Sequence, residues 1–424
     1  MRVVILTQYY APEVGAPQTR LAALARELRR HGHDVEVVTA MPHHLVGRVH
    51  DGYRGKVYAR EIIDDVKVHR TWVYAATGTG VRRIANYLSF ACSSLLGLMR
   101  TARPDVIFVE SPPLFLSVPG WIAARARGAA IIFNVADLWP DSVRELGVMN
   151  DGVVLRAAEW LERWSYDRAD IVNAVTEGIG RTLRERKGVA ANKVRFLPNG
   201  IDVEMFHPRE ADRDLRRRLR LDERPVFLYA GTHGIAQGLQ TVIEAAKLAE
   251  PHTNIVMVGS GPTKPWLIDL TRRMGVRNVR FVDPVPLHAM PGYFSLALAS
   301  IVPLVDKPLM YGARPSKIFP SLASGVPVLY CGRGESAALL EHAGAGISIE
   351  PENARALADA MIALAQNEPL RAQMAERARA LAVERFAWAP IVDAWLRSIE
   401  AQFPHAASAR SASSGRPESS LRSV

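Results

Sequence analysis

The chain has only two cysteines in 424 residues, Cys92 and Cys331, and they lie far apart. They form no metal-binding or redox spacing, so both read as buried thiols. No disulfide framework is implied, which suits a reducing compartment. Zinc-finger, RRM and helix-turn-helix signatures are absent. Nucleic acid is therefore the weakest of the anionic partners that a formal net charge of +10 suggests, behind acidic lipid and phosphorylated substrates. An arginine-rich surface without a specific partner is the plainer reading of the same charge. The opening "MRVVILTQYYAPE" has too short an apolar run and no small-residue cleavage site for a signal peptide, and reads as a first buried strand. One segment, Ile84–Met99, carries no charge over sixteen residues. That falls short of the roughly 20 residues a bilayer span needs.

Apolar content is ample: 48% of the residues are hydrophobic, enough for the two domains that this length suggests. Short β-branched runs alternate with helical patterns. Arg2–Thr7, Asp34–Ala40, Pro104–Glu110, Ala129–Asp137 and Ala169–Val175 read as buried strands. Between the first two, Leu21, Leu24, Ala25 and Leu28 fall on one helix face that Gly32 ends. The alternation resumes after Arg224 with "PVFLYAGT", "NIVMVGSG", "VRFVD", "LASIVPLV" and "VPVLYC". Near-continuous apolar strands alternating with helices predict α/β architecture: two doubly wound parallel sheets with ligands beyond their C-terminal strand ends. "LPNGIDVEMFHPREADRDLRRRLRLDERP" reads as the hinge, giving domains 1–202 and 203–385. Within it, Asp212-Arg213-Asp214 spells an acidic pair of a kind that binds divalent metal in some sugar-transfer enzymes, but it sits among arginines and reads as a solvated helix face. Residues 404–424, rich in Ser, Arg and small side chains, read as disordered.

Several loops could hold anions. Gly15, after the first strand, permits positive φ or close approach of a ligand. Gly231, Gly234 and Gly238 miss the G-x-G-x-x-G spacing yet suit a phosphate at a helix start, and Gly259 with Gly261 repeats the layout. In "RPSKIFPSLASGVPVLY", Ser316 reads as an N-cap, and Arg314 and Lys317 as a basic pair at a helix N-terminus that could neutralise a diphosphate leaving group. Glu335, in the first turn of the next helix, either favours the helix dipole or accepts hydrogen bonds from sugar hydroxyls. Asp137 ends a strand, as a catalytic carboxylate facing a cleft or as a helix cap. The uncharged Ile84–Met99 segment, flanked by Arg82, Arg83, Arg100 and Arg103, reads as a helix in the headgroup region or a buried one; Trp121 could add an aromatic anchor.

In order along residues 1–390, "YYAPEVGAPQTRLAALARELRRHGHDVEVVTAMPHH", "DLWPDS", "PNGID", "YAGTHGIAQGL", "VGSGP", "RPSKIFPSLASGVPVL" and "GESAALLEHAGAG" resemble the retaining glycosyltransferases of family 4. Their bacterial surface-polysaccharide branch is the closest match. The resemblance implies the GT-B fold, two Rossmann-like domains facing a cleft, with helix 386–403 crossing back to the N-terminal domain. It implies a nucleotide-sugar donor, UDP-linked, in the C-terminal domain. The acceptor would be a sugar on undecaprenyl diphosphate in the N-terminal domain, the transferred sugar an N-acetylated hexosamine such as L-FucNAc, and the product O-antigen or capsule. No metal or other cofactor is implied. The enzyme would be cytoplasmic, peripheral on the inner face of the plasma membrane, against an anionic surface.

Carried over residue by residue, the resemblance makes Asp137 and Lys317 catalytic. Gly231, Thr232, His233, Gly234, Gly259, Arg314, Ser316, Glu335 and Ser336 would contact the donor, and Glu13 and Gly15 the acceptor. Two departures stand out. Gly312 and Pro320 occupy the places of the family's E-x7-E glutamates, the second of which holds the ribose. Gln237 stands where a lysine is expected. Arg314 and Lys317 would then supply the missing charge. A soluble UDP-sugar 2-epimerase of similar fold and a non-catalytic nucleotide-sugar-binding relative are the alternatives.

Overall fold

In the computed structural model, residues 1–13, 15–43, 47–76, 80–145 and 152–400 are described. Among them, fourteen strands form two sheets. The first contains β1 (Arg2–Leu6), β2 (Asp34–Ala40), β3 (Tyr58–Ile63), β4 (Val66–Thr71), β5 (Val106–Ser111), β6 (Ala130–Val135), β7 (Ile171–Ala174) and β8 (Val194–Phe196). Its spatial order is β3-β4-β2-β1-β5-β6-β7-β8, parallel except for the β3–β4 hairpin. The second contains β9 (Val226–Ala230), β10 (Asn254–Val258), β11 (Val279–Val282), β12 (Ala297–Pro303), β13 (Val328–Cys331) and β14 (Gly346–Ile349), ordered β11-β10-β9-β12-β13-β14 and fully parallel. The expected tail, 404–424, lies outside the described residues.

Strand order reverses between β1 and β5 in the first sheet and between β9 and β12 in the second. These are the places where doubly wound sheets open a crevice at their C-terminal edge. Each sheet buries a cluster on both faces, which is why its strands read as continuous apolar runs. The helix Trp388–Glu400 returns to the first lobe. Trp388, Ile391, Val392, Trp395, Leu396 and Ile399 share one cluster with Leu21, Leu24 and Leu28 of the Ala16–Arg30 helix. Trp395 Nε1 donates to Asn173 Oδ1 on β7 at 3.0 Å, fixing the register of that return. The two connections between lobes also pair, with Ile201 N–H donating to Phe386 C=O at 2.7 Å. Arg379 donates to the carbonyls of Val203, Phe206 and Ala323, tying one connection to the second lobe.

The uncharged segment extends to a helix, Val81–Arg100, that packs against the first sheet. Cys331 is buried as expected, but Cys92 on that helix is exposed, because its position falls on the outer face. Asp212 is an N-cap: its Oδ1 accepts from Leu215 N–H at 2.8 Å at the start of the Arg213–Arg218 helix, where Asp214 pairs with Arg217. Gly15 is extended, at φ 171°, so positive φ is not its reason for being there.

Candidate active site

The lobes meet along a cleft that encloses a cavity of about 370 Å³. From the first lobe it takes Asp137, Thr176 and Asn199, and from the second Gln237, Arg314, Ser316 and Lys317. The fold thus brings the two residues read as catalytic, Asp137 and Lys317, onto facing walls of one cavity.

Lys317 comes from the loop before a short helix, Ile318–Ala323, whose N-cap position it occupies with no side-chain capping bond. Ser316, expected as the cap, is instead an exposed cleft residue one position further out. The helix starts close to Pro320, as a proline in the first turn requires. At six residues it is too short to lend much dipole charge, so the local positive field is that of side chains. Lys317 lies along Gly231, at the β9 switch point. Gly231 has φ 150°, which a β-carbon resists, and a Cβ there would run into Lys317 Cε. The ammonium stands 5.6 Å from the centre of the Tyr229 ring, within cation–π range. Among the described residues it has no carboxylate partner within 4 Å. Burial without a counter-charge pulls its pKa down to about 8.

Arg314 is placed differently. Its guanidinium, also in the cleft wall, pairs closely with the Glu335 carboxylate. Glu335 opens the Glu335–Ala343 helix and also accepts from Gly178 N–H at 2.8 Å, on the first lobe. Thr176 Oγ1 donates across the same gap to Gly312 C=O at 2.8 Å, and Leu309 N–H donates to Glu145 Oε2 at 3.1 Å. In this conformation Glu335 latches the lobes together. Gly312, at the first missing glutamate's place, sits where the lobes touch: a Cβ on Gly178 would lie 2.7 Å from Gly312 Cα.

Asp137 follows β6. Its carboxylate reaches solvent through the cleft while protein encloses it on its other sides. Ser142 Oγ donates to its Oδ2 at 3.1 Å. Desolvation by the surrounding walls lifts the carboxyl above its ordinary range, nearby Asp141 adds to the lift, and the Ser142 and Leu138 donors oppose it. The helix after Trp139-Pro140 begins at Asp141.

The remaining expected donor and acceptor contacts are distributed unevenly. Thr232 is exposed in the loop after β9, and Gly234 N–H there is capped by Gln237 Oε1 at 3.1 Å. The side chain that replaces the lysine thus holds the loop. The His233 ring is fully buried, turned under the loop between Tyr229 and Phe281, and its backbone is used internally, with N–H donating to Ser260 C=O and C=O accepting from Thr263. Gly259 packs its backbone against Gly231 beneath the same loop. Ser336 Oγ is used internally, donating to Ala313 C=O at 2.9 Å. Neither Glu13 nor Gly15 lines the cavity. Glu13 is buried and its Oε1 accepts from His43 N–H at 2.7 Å.

One group escaped the sequence reading. At the β1/β5 switch point, Arg20 pairs with Glu110 and donates to Asn199 Oδ1 at 3.1 Å, while Asn134 Nδ2 donates to Glu110 Oε2 at 2.9 Å. The available signal was Glu110 itself, a charge closing an otherwise apolar buried strand. Among the described residues no group of three or more His, Cys, Asp and Glu gathers as metal ligands.

Two such lobes around one crevice, with the cation on the later one, match family profiles along the chain. Residues 15–200 match the glycosyl transferase 4-like domain and residues 211–381 the glycosyl transferases group 1. WcaI of Escherichia coli (strain K12), named for colanic acid biosynthesis, is 30% identical over 84% of this chain and 90% of its own. The chain is a glycosyltransferase of this family. A GDP-mannose-dependent alpha-mannosyltransferase from Mycolicibacterium smegmatis is 26% identical over 78% of this chain and 79% of its own. In fold, this glycosyltransferase superposes on Anabaena HepE, crystallised with UDP-glucose, with a TM-score of 0.72 at 15% identity, over 95% of this chain and 100% of that one. Its fold is GT-B, as the ordered motifs had implied.

Proposed function

We propose that this glycosyltransferase moves a sugar, an N-acetylated hexosamine such as L-FucNAc, from a UDP-sugar to a lipid-diphosphate-linked acceptor in surface-polysaccharide synthesis, with retention of anomeric configuration. The observation that carries the reading is the unpaired Lys317 ammonium beside Gly231, facing Asp137 across the cleft. A donor pyrophosphate laid along the β9 loop would meet that cation, and its charge would restore the full ammonium character that burial weakens. As the anomeric C–O bond breaks, negative charge grows on the leaving β-phosphate and Lys317 stabilises it more than in the ground state. The acceptor hydroxyl oxygen bonds to the anomeric carbon on the face the diphosphate leaves, and its proton passes to a β-phosphate oxygen. Asp137 orients the acceptor hydroxyl or the donor sugar from the opposite wall. No metal takes part, since Lys317 supplies the neutralising charge.

The relatives leave two donor nucleotides to weigh, one named for GDP-mannose and one crystallised with UDP-glucose. A thermal-shift screen of UDP-, GDP- and dTDP-sugars decides between them, because a bound ligand raises the melting temperature by mass action. The reading requires a shift with UDP-sugars and UDP release once a lipid-diphosphate acceptor is added. Binding without release would make the chain a nucleotide-sugar-binding relative, and release of a GDP product would replace the donor.

A further inference from the structure

A second cavity, of about 410 Å³, lies on the first lobe. It is bounded by the helices Asp141–Glu145 and Val153–Arg168 and by Arg186, Lys187 and Gly188 of the turn after the Glu177–Glu185 helix. Its size is that of a ligand pocket, but apart from Tyr166 and Gly188 its lining is charged. Asp141 and Glu162 form a buried floor, both held by Lys187 Nζ at 3.0 and 2.7 Å. Arg144 pairs with Glu159 at 3.0 Å. Two further cations in the wall, Arg163 and Arg186, have no ion pair or side-chain hydrogen bond among the described residues. Lys187 and Arg144 thus hold the three carboxylates of the lining, and with the exposed Arg163 and Arg186 its four cations leave a surplus of one positive charge.

Position gives this surplus a meaning. Arg186 lines both this cavity and the inter-lobe cleft. The floor residue Asp141 is followed by Ser142, whose hydroxyl holds Asp137. The helix that supplies Glu159, Glu162 and Arg163 exposes Val153, Val154 and Trp160 on its outer side. An anionic head on an apolar chain would meet Arg163 and Arg186 in the wall, with its tail at Trp160 and its sugar directed past Arg186 towards Asp137. We propose that this cavity takes the diphosphate of the lipid-linked acceptor. The assignment rests on the transfer reaction above, and places the acceptor diphosphate away from Glu13 and Gly15.

Farnesyl diphosphate, titrated into the full chain, is a direct probe. The Lys317→Ala background removes the cation expected to bind a pyrophosphate in the cleft, so residual binding reports on the side cavity. Binding that persists in Lys317→Ala, weakens at least tenfold in Arg163→Gln and recovers in Arg163→Lys supports the assignment. Arg163 is exposed, so the fold survives its substitution, and an unchanged melting temperature verifies this. Affinity unaltered by Arg163→Gln, or farnesol binding as tightly as its diphosphate, overturns it. Failure of the parent reading shows separately, as no transfer by the wild-type chain from any nucleotide sugar, whatever the binding titration gives.

Discussion

At the scale of single residues, Lys317 couples protonation to function in a calculable direction. Its folded pKa, about 8, lies below the ordinary lysine value, so the folded state binds fewer protons than the unfolded state between pH 8 and about 10.5. Stability from this group therefore rises with pH across that window and is lowest below it. The cost of holding the ammonium is on the order of 3 kcal/mol at neutral pH. Lys317→Met should raise the melting temperature while cutting turnover at least 10²-fold, the scale of one electrostatic stabiliser. In the wild type, kcat/KM should fall as pH rises through about 8, with the limb in kcat displaced upward because the bound diphosphate holds the proton. A Met variant that keeps its turnover sinks the role of Lys317, whatever its stability.

His233 shifts in the same direction, in a more acidic window. Desolvation pushes its imidazole down to about 4, helped by Lys264 and Lys317, and neither ring nitrogen has a hydrogen-bond partner among the described residues. A histidine with a lowered folded pKa loses stability as pH falls from its unfolded value near 6.5 to about 4, here by up to roughly 3 kcal/mol. His233→Phe, packed between Tyr229 and Phe281, should flatten denaturation midpoints across that range and leave donor affinity within twofold. A large loss of donor affinity would mean that the ring, not the backbone of its loop, serves the nucleotide.

At the scale of elements, the lobe contact pairs the Glu335, Thr176 and Glu145 side chains with backbone of the facing lobe, and one methyl group at its tightest point can pry it apart. Gly178→Ala would set a Cβ 2.7 Å from Gly312 Cα and 3.2 Å from Glu335 Oε2. Both sheets keep their cores, so melting should barely change. The lobes should part, with a larger radius of gyration by solution scattering and kcat/KM at least tenfold lower. An unchanged radius with full activity would show that the latch is dispensable. This contact also marks what the sequence hid. Buried strands such as β1, β2 and β9 were legible because both faces are covered and their residues are apolar throughout. The β3–β4 hairpin was not. Its turn uses Asp64 and Asp65, both at positive φ, in place of the glycine that advertises such turns. Lys317 was legible as a basic residue at a helix start, in "RPSKIFPSLASGVPVLY". The pairing of Arg314 with Glu335 was not, since the two lie 21 residues apart and only the packing of the Glu335–Ala343 helix beside the Arg314 loop brings them together.

At the scale of the whole molecule, one helix of the first lobe turns an apolar stripe outward. Along the Val81–Arg100 helix, Val81, Ala85, Leu88, Cys92, Leu96 and Met99 recur every three or four residues and all are exposed. Asn86, Phe90, Ser94 and Leu98 fill the buried side. A helix with an apolar stripe outward and no charge along it is not how a protein usually meets water. Among the described residues no helix is long and apolar enough to cross a membrane. The stripe therefore favours a helix lying in the plane of a bilayer, with Arg82 at one end and Arg100 at the other. The flanking arginines are not equivalent. Arg83 donates to Tyr87 OH at 2.8 Å and Arg103 to Arg127 C=O at 3.0 Å, so both are committed to the fold. Trp121, half-buried against Trp164 and beneath Arg168, is committed likewise, while Trp160 stands 64% exposed. Leu88→Glu with Met99→Glu should abolish flotation with anionic vesicles, whereas Arg82→Gln should weaken it in a salt-dependent way. Neither change touches the cleft, so UDP release with a short, water-soluble acceptor should persist while release with a vesicle-borne acceptor is lost. Flotation that survives the double glutamate variant would move the bilayer contact off this helix, and equal loss with both acceptors would mean that the substitutions had damaged the lobe itself.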